Sequence, residues 1–230
     1  MNKAEVMQQL KTLGTEQNRN VYGRHGVKGD QFGVSYAELV RLKKRIGIDQ
    51  ELAEELWATG NHDARVLGAM IADPAQIEAN TLDAWVKELD NYVITEAFSK
   101  MASGSPSARE RMRKWIEAKD EWVGTAGWNV LTHLAMRPGG LPDNVLDGIV
   151  EKIEAEIHGS KNRVKYAMNN ALIAIGVSSS KLQKKSVEAA RRIGRVEVDH
   201  GETNCQTPDA AAYIHKTIEH RKKGKTRRRR

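Results

Sequence analysis

Tyr92 and Glu96 stand four residues apart in the segment NYVITEAF, so a helix there presents both on one face. A ring in that position can pack against a deoxyribose or a cationic base. A carboxylate beside it can offset positive charge developing at a sugar carbon, or hold an attacking water. One aromatic and one acid at this spacing also occur by chance in many helices. A second group, Asp199, His200 and Cys205 in DHGETNC, holds the residue types of a nucleophilic triad or a metal site. A zinc site needs two further ligands and a nucleophilic cysteine needs a base set against it, so the segment reads as a turn capped by Asp199 and packed by a buried Cys205. No metal and no cofactor is expected.

Four of the five tryptophans, Trp85, Trp115, Trp122 and Trp128, fall within 44 residues. Large aromatics at helical spacing in stacked helix pairs fill the gaps between pairs, and most of these rings are expected in the core. Arg65, Lys152, Arg163 and Lys165 fall on helical segments and are candidate phosphate contacts, a role that competes with ordinary surface charge.

The elements that must position these groups are helices. From Ala4 to His220 one amphipathic, helix-length segment follows another, cut by Gly and Pro, with almost no strand-like alternation. Asp73 before Pro74 and Thr207 before Pro208 read as N-caps ahead of a first-turn proline, and Ser107 with Glu110 reads as a capping box. Gly47, Gly159, Gly176 and Gly194 read as C-terminal stops. Eleven or twelve helices joined by short loops follow. Gly14 to Gly33, with Gly23, Gly26 and Gly29 among Arg24, His25 and Lys28, is the least regular stretch and reads as a mobile connector, with phosphate contact as the alternative. Moving Val123, Ala126, Asn129 and Leu131 forward by 41 positions lands on Val164, Ala167, Asn170 and Leu172, each identical. That period suits HEAT-like helix pairs, and the fold class expected is an all-α solenoid of antiparallel pairs with a concave face.

The formal charge of +7 is concentrated at one end. Arg221, Lys222, Lys223, Lys225, Arg227, Arg228, Arg229 and Arg230 place eight cations and no acid in the last ten residues, and the rest of the chain is nearly neutral. The expected organisation is a single domain over 1–220 and a disordered basic tail over 221–230 that attracts polyanions by counterion release, unless it serves solubility alone. No apolar run approaches bilayer length and no secretory leader is visible, so a cytoplasmic protein is expected. The lone cysteine excludes an intramolecular disulfide.

Five ordered segments carry a resemblance that no single motif would. They are ELAEELWATGNHDARVLGAMIADP from Glu51, LDAWVKELDNYVITEAF from Leu82, KWIEAKDEWVGTAGWNVLTHLA from Lys114, NRVKYAMNNALIAIG from Asn162 and IGRVEVDHGETNCQTPDAAAYI from Ile193. Together they resemble the AlkD-like DNA alkylation repair proteins, alkylpurine DNA glycosylases and relatives built from HEAT-like repeats. The resemblance spans about Val34 to Ile214. It implies a Trp-Asp-x-x-Asp element on the helix matching NYVITEAF, where Tyr92 stands at the sugar-supporting Trp position and Glu96 at the catalytic Asp position. It also implies an arginine three residues after Trp122, where this chain has Thr125, and a second tryptophan where this chain has Asn170.

The leading expectation from this resemblance is a monomeric DNA repair protein that binds duplex DNA and excises N-alkylated purines, with Glu96 offsetting the oxocarbenium-like charge and Tyr92 holding the sugar. Trp122, Thr125 and Asn170 would then face the DNA. The altered residues favour a second expectation, a catalytically weak or inactive member that binds distorted or branched DNA by shape. A third is a protein-interaction scaffold.

Overall fold

A computed structural model describes residues 1–227, with side chains through Lys222. Among the described residues every element is helical. The order is α1 (Lys3–Leu13), α2 (Glu16–Arg24), α3 (Tyr36–Ile46), α4 (Gln50–Trp57), α5 (His62–Ile71), α6 (Ala79–Trp85), α7 (Tyr92–Ala102), α8 (Ala108–Ile116), α9 (Glu121–Met136), α10 (Asp143–Glu156), α11 (Asn162–Ser178), α12 (Gln183–Ile193) and α13 (Ala210–Arg227). Single 3-10 turns at Val86–Glu88 and Ile157–Gly159 extend α6 and α10. None of these helices is long and apolar enough to cross a membrane.

The chain sorts into two compact units. The first holds residues 1–127 and 200–204, the second 128–199 and 205–230. In the first, α5 packs against α3, α4 and α7. Its centre is aromatic: Trp57 of α4 stacks on Trp85 of α6 at 4.2 Å between centroids and 1° between planes, and Phe98 of α7 lies 6.1 Å from Trp57 and 5.5 Å from Trp115 of α8. In the second unit α11 packs against α10, α12 and α13.

The 41-residue repeat maps onto α9 and α11. Ala126, Leu131, Ala167 and Leu172 are all buried, and Asn129 and Asn170 are both half-buried, so the matched residues share their burial as well as their identity. Small residues in these helices permit close approach. A Cβ on Gly127 would lie 2.5 Å from the Ile116 backbone nitrogen, and one on Gly176 would lie 2.7 Å from Ile214 Cδ1 and 3.0 Å from Ser186 Cβ.

Several expected boundaries fall elsewhere. Gly47 and Gly194 do end α3 and α12 with φ of 81° and 69°. Gly176 lies inside α11, where it is a contact point between helices, and Gly159 ends a 3-10 turn. Asp73 caps only a turn, taking the Ala75 N–H at 2.9 Å, and α6 starts six residues later. At α13 the capping carboxylate is Asp209, which accepts from Ala212 N–H at 2.8 Å, one residue past Pro208. Ser107 precedes α8 as expected, but its backbone is already bent toward helical values and its side chain caps nothing. The stretch read as a mobile connector contains α2, capped by Thr15, and the loop after it is tied down by hydrogen bonds.

The last element is α13. The helix continues through Arg227, and only Arg228 to Arg230 of the expected tail lie outside the described residues. Arg221 Nη1 donates to the Val177 carbonyl at 2.9 Å, which ties α13 to the end of α11.

Candidate functional site

The helix that carries Tyr92 and Glu96 begins at Asn91. Its Oδ1 accepts the N–H groups of Val93 at 3.0 Å and Ile94 at 3.2 Å, which satisfies two of the orphan donors of the first turn. Ile94, Phe98, Met101 and Ala102 are buried and fix which way α7 is turned. Glu96 is consequently exposed, and Tyr92 is half-buried in the first turn. On the same helix, Thr95 Oγ1 donates to the Asn91 carbonyl, and Ser99 Oγ reaches the Ala126 carbonyl of α9 at 3.4 Å.

Tyr92 is not isolated. The His25 ring stands edge-on to it, 5.5 Å between centroids at 73°. His25 opens the glycine-rich loop 25–34, and that loop is held by one carboxylate. Asp63 Oδ2 accepts the N–H groups of Phe32 at 2.6 Å and Gly33 at 3.1 Å, while Oδ1 accepts that of Val34 at 2.8 Å. Asp63 sits at the start of α5, where the helix dipole also favours a negative charge. Tyr22 Oη donates to the Val34 carbonyl at 2.6 Å, and Thr15 N–H donates to Gly33 O at 3.1 Å. Gly33 must be glycine: its φ is 77°, and a Cβ would meet Thr15 O at 2.5 Å.

The same cluster shifts two titrations. His62, 6% exposed, has its pKa lowered, chiefly by burial, against the opposing pull of Asp63 and Asp90. Its ring meets Tyr22 edge-on at 5.6 Å, and its Nδ1 lies 3.4 Å from Asn91 Nδ2. Burial pushes the Tyr22 hydroxyl up to about 12, with Asp63 and Tyr92 adding to the effect. His62 is therefore a neutral imidazole and Tyr22 a neutral phenol at neutral pH.

The other sequence-selected residues are placed as follows. Trp122 is half-buried at the start of α9, where Asp120 Oδ1 accepts its N–H at 2.9 Å. Thr125 is 4% exposed, and its hydroxyl donates to the Glu121 carbonyl at 2.7 Å, so a short side chain turned onto its own helix occupies the expected arginine position. Arg65 is already engaged: Nη2 meets Glu88 Oε2 at 2.5 Å, Nε donates to Trp57 O at 3.2 Å, and the guanidinium lies 5.6 Å from the Trp57 ring centroid. All of these lie in the first unit.

Lys152, Arg163, Lys165 and Asn170 lie in the second unit. Lys152 Nζ pairs with Glu156 at 2.9 Å. Arg163, Lys165 and Asn170 are half-buried on α11. Cys205 is exposed, contrary to the buried thiol expected, and the turn before it is held by Asn162, which exchanges two 2.7 Å hydrogen bonds with the Asp199 backbone. Among the described residues no group of three His, Cys, Asp or Glu side chains is arranged to hold a metal ion.

Sequence reasoning passed over His62, Asp63 and Asn91, and treated His25 only as part of a loop. One signal for Asp63 was available: it stands three and four residues before Val66 and Leu67, in phase with the apolar stripe of α5, and all three are fully buried. An acid on that stripe needs donors, and the loop supplies them. Nothing local in the sequence identifies His25 as the neighbour of Tyr92.

The family model described as "DNA alkylation repair enzyme" matches residues 6–214. A solved structure, described as a new family of proteins related to the HEAT-like repeat DNA glycosylases with affinity for branched DNA structures, is 32% identical. It covers 96% of this chain and 95% of its own, with a TM-score of 0.87. An uncharacterized protein of Listeria innocua is 26% identical over 90% of this chain and 93% of its own length. Another, of Listeria monocytogenes, is 25% identical over the same shares. The chain belongs to the DNA alkylation repair enzyme family, with the all-α fold of the HEAT-like repeat proteins.

Proposed function

We propose that this member of the DNA alkylation repair enzyme family acts as a monomer that binds DNA at branched or distorted positions, engaging double-stranded arms through backbone and shape rather than base sequence. The observation that carries the reading is the full-length likeness, at 32% identity, to a protein described as having affinity for branched DNA. The buried Thr125 supports it, since it brings no cation to the position where the resemblance implies a catalytic arginine. Competition binding with a four-way junction and a linear duplex of equal length tests this. The junction should bind at least about tenfold more tightly. Equal affinities would reject the proposal.

A second reading, excision of N-alkylated purines, is favoured by one observation: Glu96 is exposed four residues from the half-buried Tyr92 on the same helix. A carboxylate so placed can stabilise the positive charge of a departing cationic base and its sugar, with the ring against the deoxyribose. In that case Glu96→Gln abolishes release of 7-methylguanine from alkylated DNA and spares binding. Release by the unaltered protein at the spontaneous rate would dismiss this reading.

A further inference from the structure

The second unit contains a groove of about 560 Å³ between the later part of α9, α11, the approach to α13 and α13 itself. Met136, Tyr166, Asn170, Gln206, Tyr213 and Arg221 are among its lining residues. Its size falls within the range of about 300 to 1,000 Å³ usual for small-ligand clefts. Two of its walls are phenol rings, and Tyr213 of α13 is 49% and Met136 of α9 45% exposed, so apolar surface is left open to solvent there. Asn170 and Gln206 add amide donors and acceptors. The groove is braced on both sides: Asn169 Nδ2 donates to the Pro208 carbonyl at 3.0 Å, and Arg221 Nη1 donates to Val177 O.

The charge beside it selects the occupant. Arg221 is the charged residue of its lining, and elsewhere on α13 Lys216 and Lys222 are exposed against the single acid Glu219, with further cations following in the sequence. A planar group with polar edges, attached to a polyanion, matches rings, amides and cations together. We propose that this groove receives one unpaired nucleobase of DNA, stacked on Tyr213, with the adjoining phosphates held by the basic end of α13. The inference rests on the reading that the chain binds branched DNA, because branch points and bulges supply bases already free of their stack, which removes the cost of extruding one.

The test uses the full chain and three fluorescent DNAs: a duplex, the same duplex with one bulged nucleotide, and the same bulge lacking its base. The base-containing bulge should bind at least about fivefold more tightly than the baseless one. Tyr213→Ala should erase that difference, and Tyr213→Phe, which keeps the ring, should retain it. A baseless bulge bound as tightly as the complete one, or an Ala variant with the preference intact, overturns the proposal. So does equal binding of the same bulge in RNA. Preference for a four-way junction over duplex, measured in parallel, separates the two failures: if it persists while the bulge effect is absent, the groove assignment alone falls.

Discussion

The N–H of Val34 is bound by Oδ1 of Asp63 at 2.8 Å across 29 residues of sequence, and the two neighbouring N–H groups, of Gly33 and Phe32, are taken by the other oxygen. One buried carboxylate thus fixes the end of the loop whose beginning, His25, stands against Tyr92. The loop that meets the Tyr92 ring at one end is closed by this anchor at the other.

Replacing Asp63 by Asn keeps the size and removes the charge, leaving an amide N–H₂ facing at least one backbone donor. Loss of charge-assisted hydrogen bonds at a fully buried site is expected to cost about 2 to 4 kcal/mol. Urea unfolding measures this, and a change below about 0.5 kcal/mol, the scatter of ordinary surface substitutions, would deny Asp63 its anchoring role.

The pH dependence follows from His62 and Tyr22. The folded His62 has a lowered pKa, so as pH falls below about 6.5 the unfolded chain takes up a proton that the folded one refuses, and stability is lost on that side. Tyr22 acts at the other end. Its folded pKa of about 12 exceeds the ordinary value of 10, so stability declines as pH rises from about 10 toward 12, where the unfolded chain alone ionises. Unfolding midpoints of His62→Gln and Tyr22→Phe across these windows should show flatter profiles than the unaltered protein, and a parallel curve in either variant would refute the corresponding assignment.

Two glycines should respond in opposite directions. A Cβ at Gly127 meets backbone atoms of Trp115 and Ile116 that cannot step aside, so Gly127→Ala should destabilise by about 1 to 3 kcal/mol. Gly148, exposed on α10, has nothing within 4 Å of the added carbon, and Gly148→Ala should stabilise by roughly 0.5 to 1 kcal/mol through helix propensity. Thermal melts of the two variants should move apart.

Truncation after Lys222 removes six cations, Lys223, Lys225 and Arg227 to Arg230, and keeps Arg221 with its hold on Val177. DNA affinity should fall, and log K should depend less steeply on log salt, by up to about 0.9 for each phosphate no longer neutralised. An unchanged slope would show that these cations do not touch the backbone of DNA.

The helical class was legible because burial has a period. Ala126 and Leu131 recur as Ala167 and Leu172, and each pair faces inward. The NYVITEAF helix was likewise readable from the four-residue spacing of Tyr92 and Glu96, although Asn91, which caps it, was passed over. Helix ends were harder, because a cap is decided by a single backbone geometry. Asp73 before Pro74 and Thr207 before Pro208 look alike in sequence, yet the first closes a turn and at the second the cap of α13 falls to Asp209. Gly176 shows the other difficulty: a glycine at a helix stop and a glycine where helices touch differ only in what lies across from them. The site suffered most, since His25 meets Tyr92, and Asp63 meets the loop from Phe32 to Val34, across long separations in the chain.

The column formed by Trp85, Trp57, Phe98 and Trp115 takes one ring from each of α6, α4, α7 and α8. None of these helices can peel away without uncovering a ring of its neighbour, so the four share a single opening event rather than fraying one by one. The segment that presents Tyr92 and Glu96 thereby inherits its stiffness from indoles sealed beneath it, and substitutions remote from its surface can loosen it as effectively as those upon it.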